Sequence, residues 1–182
     1  MSLIVMFDRV VAKARRAYRK SIFRKKIACK HKNFSLIGNV HLINTNISLG
    51  KNVTIYPDVM FFGDGPITIG DNVNIGNGTI IFASKAGGVT IGNNTLIAAQ
   101  NYIIDMDHGL CAGVPINEQP NTVEPVVIGD DVWLAANVTV LKGSKIEDGA
   151  VCGAKALVKG TIPKNAIAVG VPAKVKSYRK ES

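Results

Sequence analysis

Few residues in this chain are suited to acid–base chemistry. Its three histidines, His31, His41 and His108, stand far apart. Only His108 has acids close by, in the run Asp105-Met106-Asp107-His108-Gly109-Leu110, which leads into a polar stretch with Pro115, Pro120 and Pro125. An imidazole has an ordinary pKa of about 6.5, so at cell pH it can take a proton from an attacking group and pass it to a leaving one. Asp107 or Asp105 is near enough in sequence to orient such a ring. The competing reading is an exposed loop histidine with no task. His41 reads as structural, and His31, inside a Lys-rich run, as solvated. Cys29, Cys111 and Cys152 are odd in number, widely spaced and without a CxxC pair. That excludes a disulfide scaffold and a cysteine zinc site and fits a reducing compartment.

A six-residue period has to position these groups. A branched or large apolar residue recurs at Ile37, Ile43, Leu49, Ile55 and Phe61, then at Ile69, Ile75 and Ile81, then at Ile91, Ile97 and Ile103. After 19 extra residues it resumes at Ile128, Leu134, Val140, Ile146, Cys152 and Val158. Gly, Asp and Asn follow the apolar residue in Ile69-Gly70-Asp71-Asn72, Ile91-Gly92-Asn93-Asn94 and Ile128-Gly129-Asp130-Asp131. These residue types tolerate the left-handed backbone of tight corners. One short strand and one corner per six residues, stacked turn on turn, make a solenoid. Ordinary sheets need a period of two and helices one of 3.6, and neither fits. A regular solenoid has no need of the 105–127 excursion, and long excursions from a scaffold are where function concentrates.

Charge divides the chain differently. Residues 1–36 carry 11 of the 22 Lys and Arg and a single acid, Asp8, so all of the +9 net charge lies there. Phe7, Val10, Val11, Ala14, Tyr18 and Ile22 recur at helical spacing, with Arg9, Lys13, Arg16, Lys20 and Arg24 on another face. A basic amphipathic helix is expected, either lying on an anionic membrane or packed across the end of the body with its charges in water. Nothing interleaves aromatics with the basic residues, so a nucleic-acid partner is not expected. The opening apolar run stops at Asp8, too short for a signal-peptide core. No stretch is long enough to span a bilayer, and a cytoplasmic protein is expected.

Residues 37–176 resemble the hexapeptide-repeat acyltransferases. That resemblance implies an all-β left-handed parallel β-helix of three-sided coils, preceded by the amphipathic helical segment 1–36 and followed by a tail at 177–182. The loop, the segment Val126 to Trp133 and the ending Ala168-Val169-Gly170-Val171-Pro172-Ala173-Lys174-Val175 are similar to those of sugar and polysaccharide O-acetyltransferases, among them the colanic acid, O-antigen, galactoside and maltose enzymes. The likeness implies transfer of acetyl from acetyl-CoA to a sugar hydroxyl without a metal, with His108 as general base and Asp107 as orienting candidate. It implies a homotrimer with sites between neighbouring chains. Trp133, Ala136 and Ala154 then border the pantetheine arm. Lys159 and Lys174 are candidates for the CoA phosphates, although Lys159 stands one place early and Gly160 occupies the family's lysine position. Asn77 is the acceptor-side candidate, with a simple corner residue as its other reading. The acceptor is a sugar or a lipid-linked saccharide, the latter suiting peripheral contact of the basic helix with the inner membrane face. The alternatives are N-acetylation of an amino-sugar nucleotide and a non-catalytic β-helix scaffold. A zinc hydratase on this fold needs three convergent histidines, and these three are too dispersed.

Overall fold

A computed structural model describes residues 3–180, so the outermost two residues of the expected N-terminal segment and of the tail lie outside it. Helix α1 (Leu3–Lys26) leads into a parallel β-solenoid. Its strands are short, and they stack into three sheets of eight, six and six strands. All pairings within these sheets are parallel except the last, where Lys174–Tyr178 turns back antiparallel on Ala166–Val169.

Each sheet turns a column of mostly large side chains inward, and the residues two places before them are mostly buried as well. The first column runs Leu36, Ile55, Ile75, Ile97, Leu134, Cys152 and Ala168. The second runs Leu42, Phe61, Ile81, Ile103, Val140 and Val158. The third runs Leu49, Ile69, Ile91, Ile128, Ile146 and Ile162. From Ile55 to Val158 these residues are almost wholly buried, and each large one contributes roughly 1.5–3 kcal/mol by leaving water. Cys152 belongs to this packing, and burial pushes its thiol up to about 12.

The corners explain the Gly-Asp-Asn repeats. Asn52, Asn72 and Asn94 adopt left-handed backbone, and Asn52 donates to Asn72 and Asn72 to Asn94, each at 3.0 Å. Beside them the carboxylates and amides of Asp71, Asn93, Asp130 and Asp148 each accept a backbone N–H from the preceding coil, at 2.6–2.9 Å. Arg179 closes this edge, donating to Asp131 Oδ2 at 2.7 Å and to the Gly149 carbonyl at 3.0 Å.

Three expectations are corrected. In the first coil the inward residues are Leu36 and Leu42, not Ile37 and Ile43, which are 44% and 57% exposed. The strand ladder accordingly starts at Phe34, three residues before the expected start of the solenoid, and ends at Tyr178. The helix does not pack through its expected apolar face either. Phe23 and Ile27 dock it, with Phe23 set 5.6 Å from the Phe34 ring and 6.4 Å from that of Phe61. Lys20 Nζ lies 4.8 Å over the Phe34 ring. His31 is not simply solvated, because Nδ1 accepts the Asn33 N–H at 3.2 Å while Nε2 reaches the Leu49 carbonyl at 2.9 Å.

Leu36→Ala should therefore cost about 2–5 kcal/mol in denaturant unfolding, and Ile37→Ala less than about 0.5. The reverse ranking would place the first coil in the other register.

Candidate active site

The long excursion leaves the solenoid after the second-sheet strand Tyr102–Ile104. Asp105 roots it. This carboxylate is fully buried and accepts from Ser84 N–H at 2.8 and 2.9 Å, from Ser84 Oγ at 2.8 Å and from Gly88 N–H at 2.7 Å. Gly87 passes so close to it that a Cβ there would collide with Asp105 Oδ2. Three donor groups occupy both oxygens, so Asp105 holds the 84–88 turn and is not an orienter of His108.

Met106–Asp107 then pairs antiparallel with Thr122–Val123, making the excursion a hairpin with His108 directly after its first strand. The His108 side chain is exposed, and among the described residues nothing hydrogen-bonds or ion-pairs with it. Asp107 points its charge at Lys142, with Oδ2 4.0 Å from Nζ, and not at the ring. The same ammonium bonds Glu124 Oε1 at 2.8 Å, so one lysine from the next coil ties the outgoing strand of the hairpin to its return. The Lys142 hydrogen bond holds the Glu124 carboxyl below the usual carboxylate range, and the same contact raises Lys142. Between the strands Gln119 folds the tip. Its Oε1 accepts Cys111 N–H at 2.7 Å, and its Nε2 donates to the carbonyls of Cys111 at 3.0 Å and Val114 at 2.8 Å. Sequence reasoning missed both Lys142 and Gln119. A lysine in a later repeat carries no local signal, whereas an amide within a proline-bearing loop is a weak one.

The other candidates gather on the edge between the first and second sheets. Asn77, Ala99, Ala136 and Ala154 each stand two places after an inward residue of the first column. Gln100, Asn137 and Lys155 donate their N–H to the carbonyls of Asn77, Ala99 and Ala136, so the four form one column along the corner. Trp133, half exposed, stands on the outer face of the first sheet beside Leu96 and Val151. With Asn77, Tyr56, Asn74, Leu96 and Ala98 it lines an open concavity of about 330 Å³. His108 does not line it. Lys159 and Lys174 are exposed at the last coil, where the Ala173 N–H bonds the Leu157 carbonyl at 2.7 Å and brings the final strand alongside. His41 is exposed on the outer face of the second sheet, 3.6 Å from Asp58. Among the described residues no group of three or more His, Cys, Asp or Glu could hold a metal ion.

A family model described as the hexapeptide repeat of succinyl-transferase matches residues 66–103 and 121–142. WbbJ of Escherichia coli (strain K12), whose name assigns it to lipopolysaccharide biosynthesis O-acetyl transfer, is 40% identical over 148 residues, 75% of this chain and 74% of its own. The galactoside O-acetyltransferase of the same organism is 32% identical over 70% of this chain and 62% of its own. AntD, an N-acyltransferase from Bacillus cereus solved with dTDP-4-amino-4,6-dideoxyglucose and coenzyme A, shares the fold at a TM-score of 0.72 and 20% identity, covering 82% of each chain. The chain belongs to the hexapeptide-repeat acetyltransferase family.

The Lys142 clip fixes a pH window. Glu124 is lowered, so its contribution is complete above the ordinary carboxylate pKa of about 4.3 and is lost as pH falls through its own lower value. Lys142 is raised, so its contribution is complete below about 10.4 and is lost only above that. Limited proteolysis of the 106–123 hairpin should accelerate below about pH 4 in the wild type, whereas Lys142→Met should be cut readily throughout. Equal, pH-independent resistance in both would show that the clip does not hold the loop.

Proposed function

We propose that this protein is an acetyl-CoA-dependent O-acetyltransferase of a sugar or polysaccharide precursor, with His108 as the general base. The observation that carries the reading is the exposed imidazole, without a partner among the described residues, at the start of a hairpin anchored at both ends. A base that must meet an incoming hydroxyl has to keep its nitrogen free, and the strapping by Asp105, Lys142 and Gln119 limits how far it wanders. As the acceptor oxygen attacks the thioester carbonyl, His108 takes the hydroxyl proton. The C–S bond then breaks and the same proton goes to the departing sulfur. No covalent intermediate is needed.

The donor fits the corner column on the first-sheet edge. Ala99, Ala136 and Ala154 present only methyl groups there, leaving room for an extended arm against backbone, with Trp133 alongside and Lys159 and Lys174 at the end to meet phosphates. Asn77, on the same column, is the acceptor-side group. Asp107 serves as a positioning residue through its Lys142 contact. His108 and the Trp133 concavity lie on different faces of one chain, which supports a site assembled between neighbours of a homotrimer. The outer faces carry exposed apolar side chains fit for such contact, among them Tyr56, Leu96 and Trp133 on the first and Phe62 and Tyr102 on the second. The WbbJ and galactoside relatives favour a hydroxyl acceptor, and a lipid-linked saccharide is one form it would take.

In a CoA-release assay over a panel of sugars, His108→Ala should lower kcat by about 10²–10⁴-fold while leaving CoA affinity within about twofold. Near-normal turnover would remove His108 from the role. Preference for an amino-sugar nucleotide would move the reaction to N-acetylation.

A further inference from the structure

Helix α1 has two apolar surfaces, and the body uses only one. Phe23 and Ile27 are buried against the first coils. At about 100° per residue they lie roughly 140–180° round the axis from Tyr18, on the far side from the stripe of Phe7, Val10, Ala14 and Tyr18. That stripe faces outward, with Phe7 67%, Val10 61% and Tyr18 69% exposed. Basic residues border it on both sides, Arg15, Arg19 and Lys26 along one and Lys13 and Arg24 along the other. Nine of the 24 helix residues are Lys or Arg. The helix is not apolar enough to cross a membrane.

We propose that α1 lies flat on an anionic lipid surface, its Phe7–Val10–Tyr18 stripe sunk at the headgroup boundary and its flanking Lys and Arg on lipid phosphates. Charge decides the occupant. A second copy would set nine bases against nine others, and like charges across an interface are strongly unfavourable. The solenoid offers no compensating field, because residues 37–182 hold 11 bases and 12 acids. A nucleic acid would satisfy the bases and leave the aromatic and aliphatic stripe in water. An anionic bilayer satisfies both sets of groups at once. The docking residues lie opposite the stripe, so the helix can present it while the solenoid stays on the water side.

The test is co-sedimentation of the full-length protein at low salt with vesicles of two parts phosphatidylcholine to one part phosphatidylglycerol, against pure phosphatidylcholine. Binding is expected to the mixed vesicles alone. The triple variant Phe7→Ser, Val10→Ser, Tyr18→Ser, all exposed positions, should bind at least about tenfold more weakly. Lys13→Gln with Arg15→Gln should lose about fivefold per charge. No binding to the mixed vesicles, or binding that the stripe variant retains, would overturn the proposal. A smaller oligomer in the stripe variant would assign the stripe to a second copy. Duplex DNA binding without vesicle binding would assign the charge to nucleic acid. Acetyl-CoA should raise the melting temperature of wild type and stripe variant equally. Absence of that rise in both would count against the donor assignment and leave the lipid contact standing.

Discussion

Every coil of the solenoid must repeat the path of the one beneath it closely enough for like side chains to stack and for backbone N–H groups to reach the neighbouring carbonyls. The inward columns through Ile55, Phe61 and Ile69 meet that requirement, and the ladder of Asn52, Asn72 and Asn94 fixes the left-handed corner between the third column and the first. Such a scaffold tolerates an insertion only at a corner, where the chain can leave and return without disturbing a column. The 105–125 hairpin does this: Ile103 pairs with Val140 in the second sheet, and Val126–Ile128 re-enters the third beside Val89–Ile91.

Rigid stacking also governs the site. A loop on this frame is held as firmly as its contacts to adjacent coils allow, and the contacts come from both directions. Ser84 and Gly88, in the coil before, grip Asp105, while Lys142, in the coil after, grips Asp107 and Glu124. His108 stands between these two anchors without a hydrogen-bond partner among the described residues. The corner column of Asn77, Ala99, Ala136 and Ala154 shows the converse use of regularity, since equivalent positions in successive coils make a long, narrow strip of small side chains against exposed backbone.

The hexapeptide period made the solenoid legible because sixfold recurrence of Ile and Val has no other physical use. It misplaced the first coil because Leu36-Ile37 and Leu42-Ile43 are adjacent apolar pairs, and spacing alone cannot choose which member turns inward. The helical stripe did not show which residues dock the helix, because it ends before Phe23 and Ile27, which the body uses. His108 was legible as the one histidine in the long excursion. Lys142 and Gln119 were not, because their meaning lies in which distant backbone they reach, and that is settled by coil stacking. Asp105 looked like a partner for His108 from its spacing, but burial turned it towards Ser84.

Acyl transfer from CoA requires first that the folded protein bind the donor, and this can be measured without knowing the acceptor. Thermal denaturation with increasing acetyl-CoA, and separately with CoA, should give a saturable rise in melting temperature for both. The stabilisation should reach about 2.7 kcal/mol at a hundred times the dissociation constant. No rise with either ligand at millimolar concentration would contradict the assignment of the corner column and Trp133 to the donor.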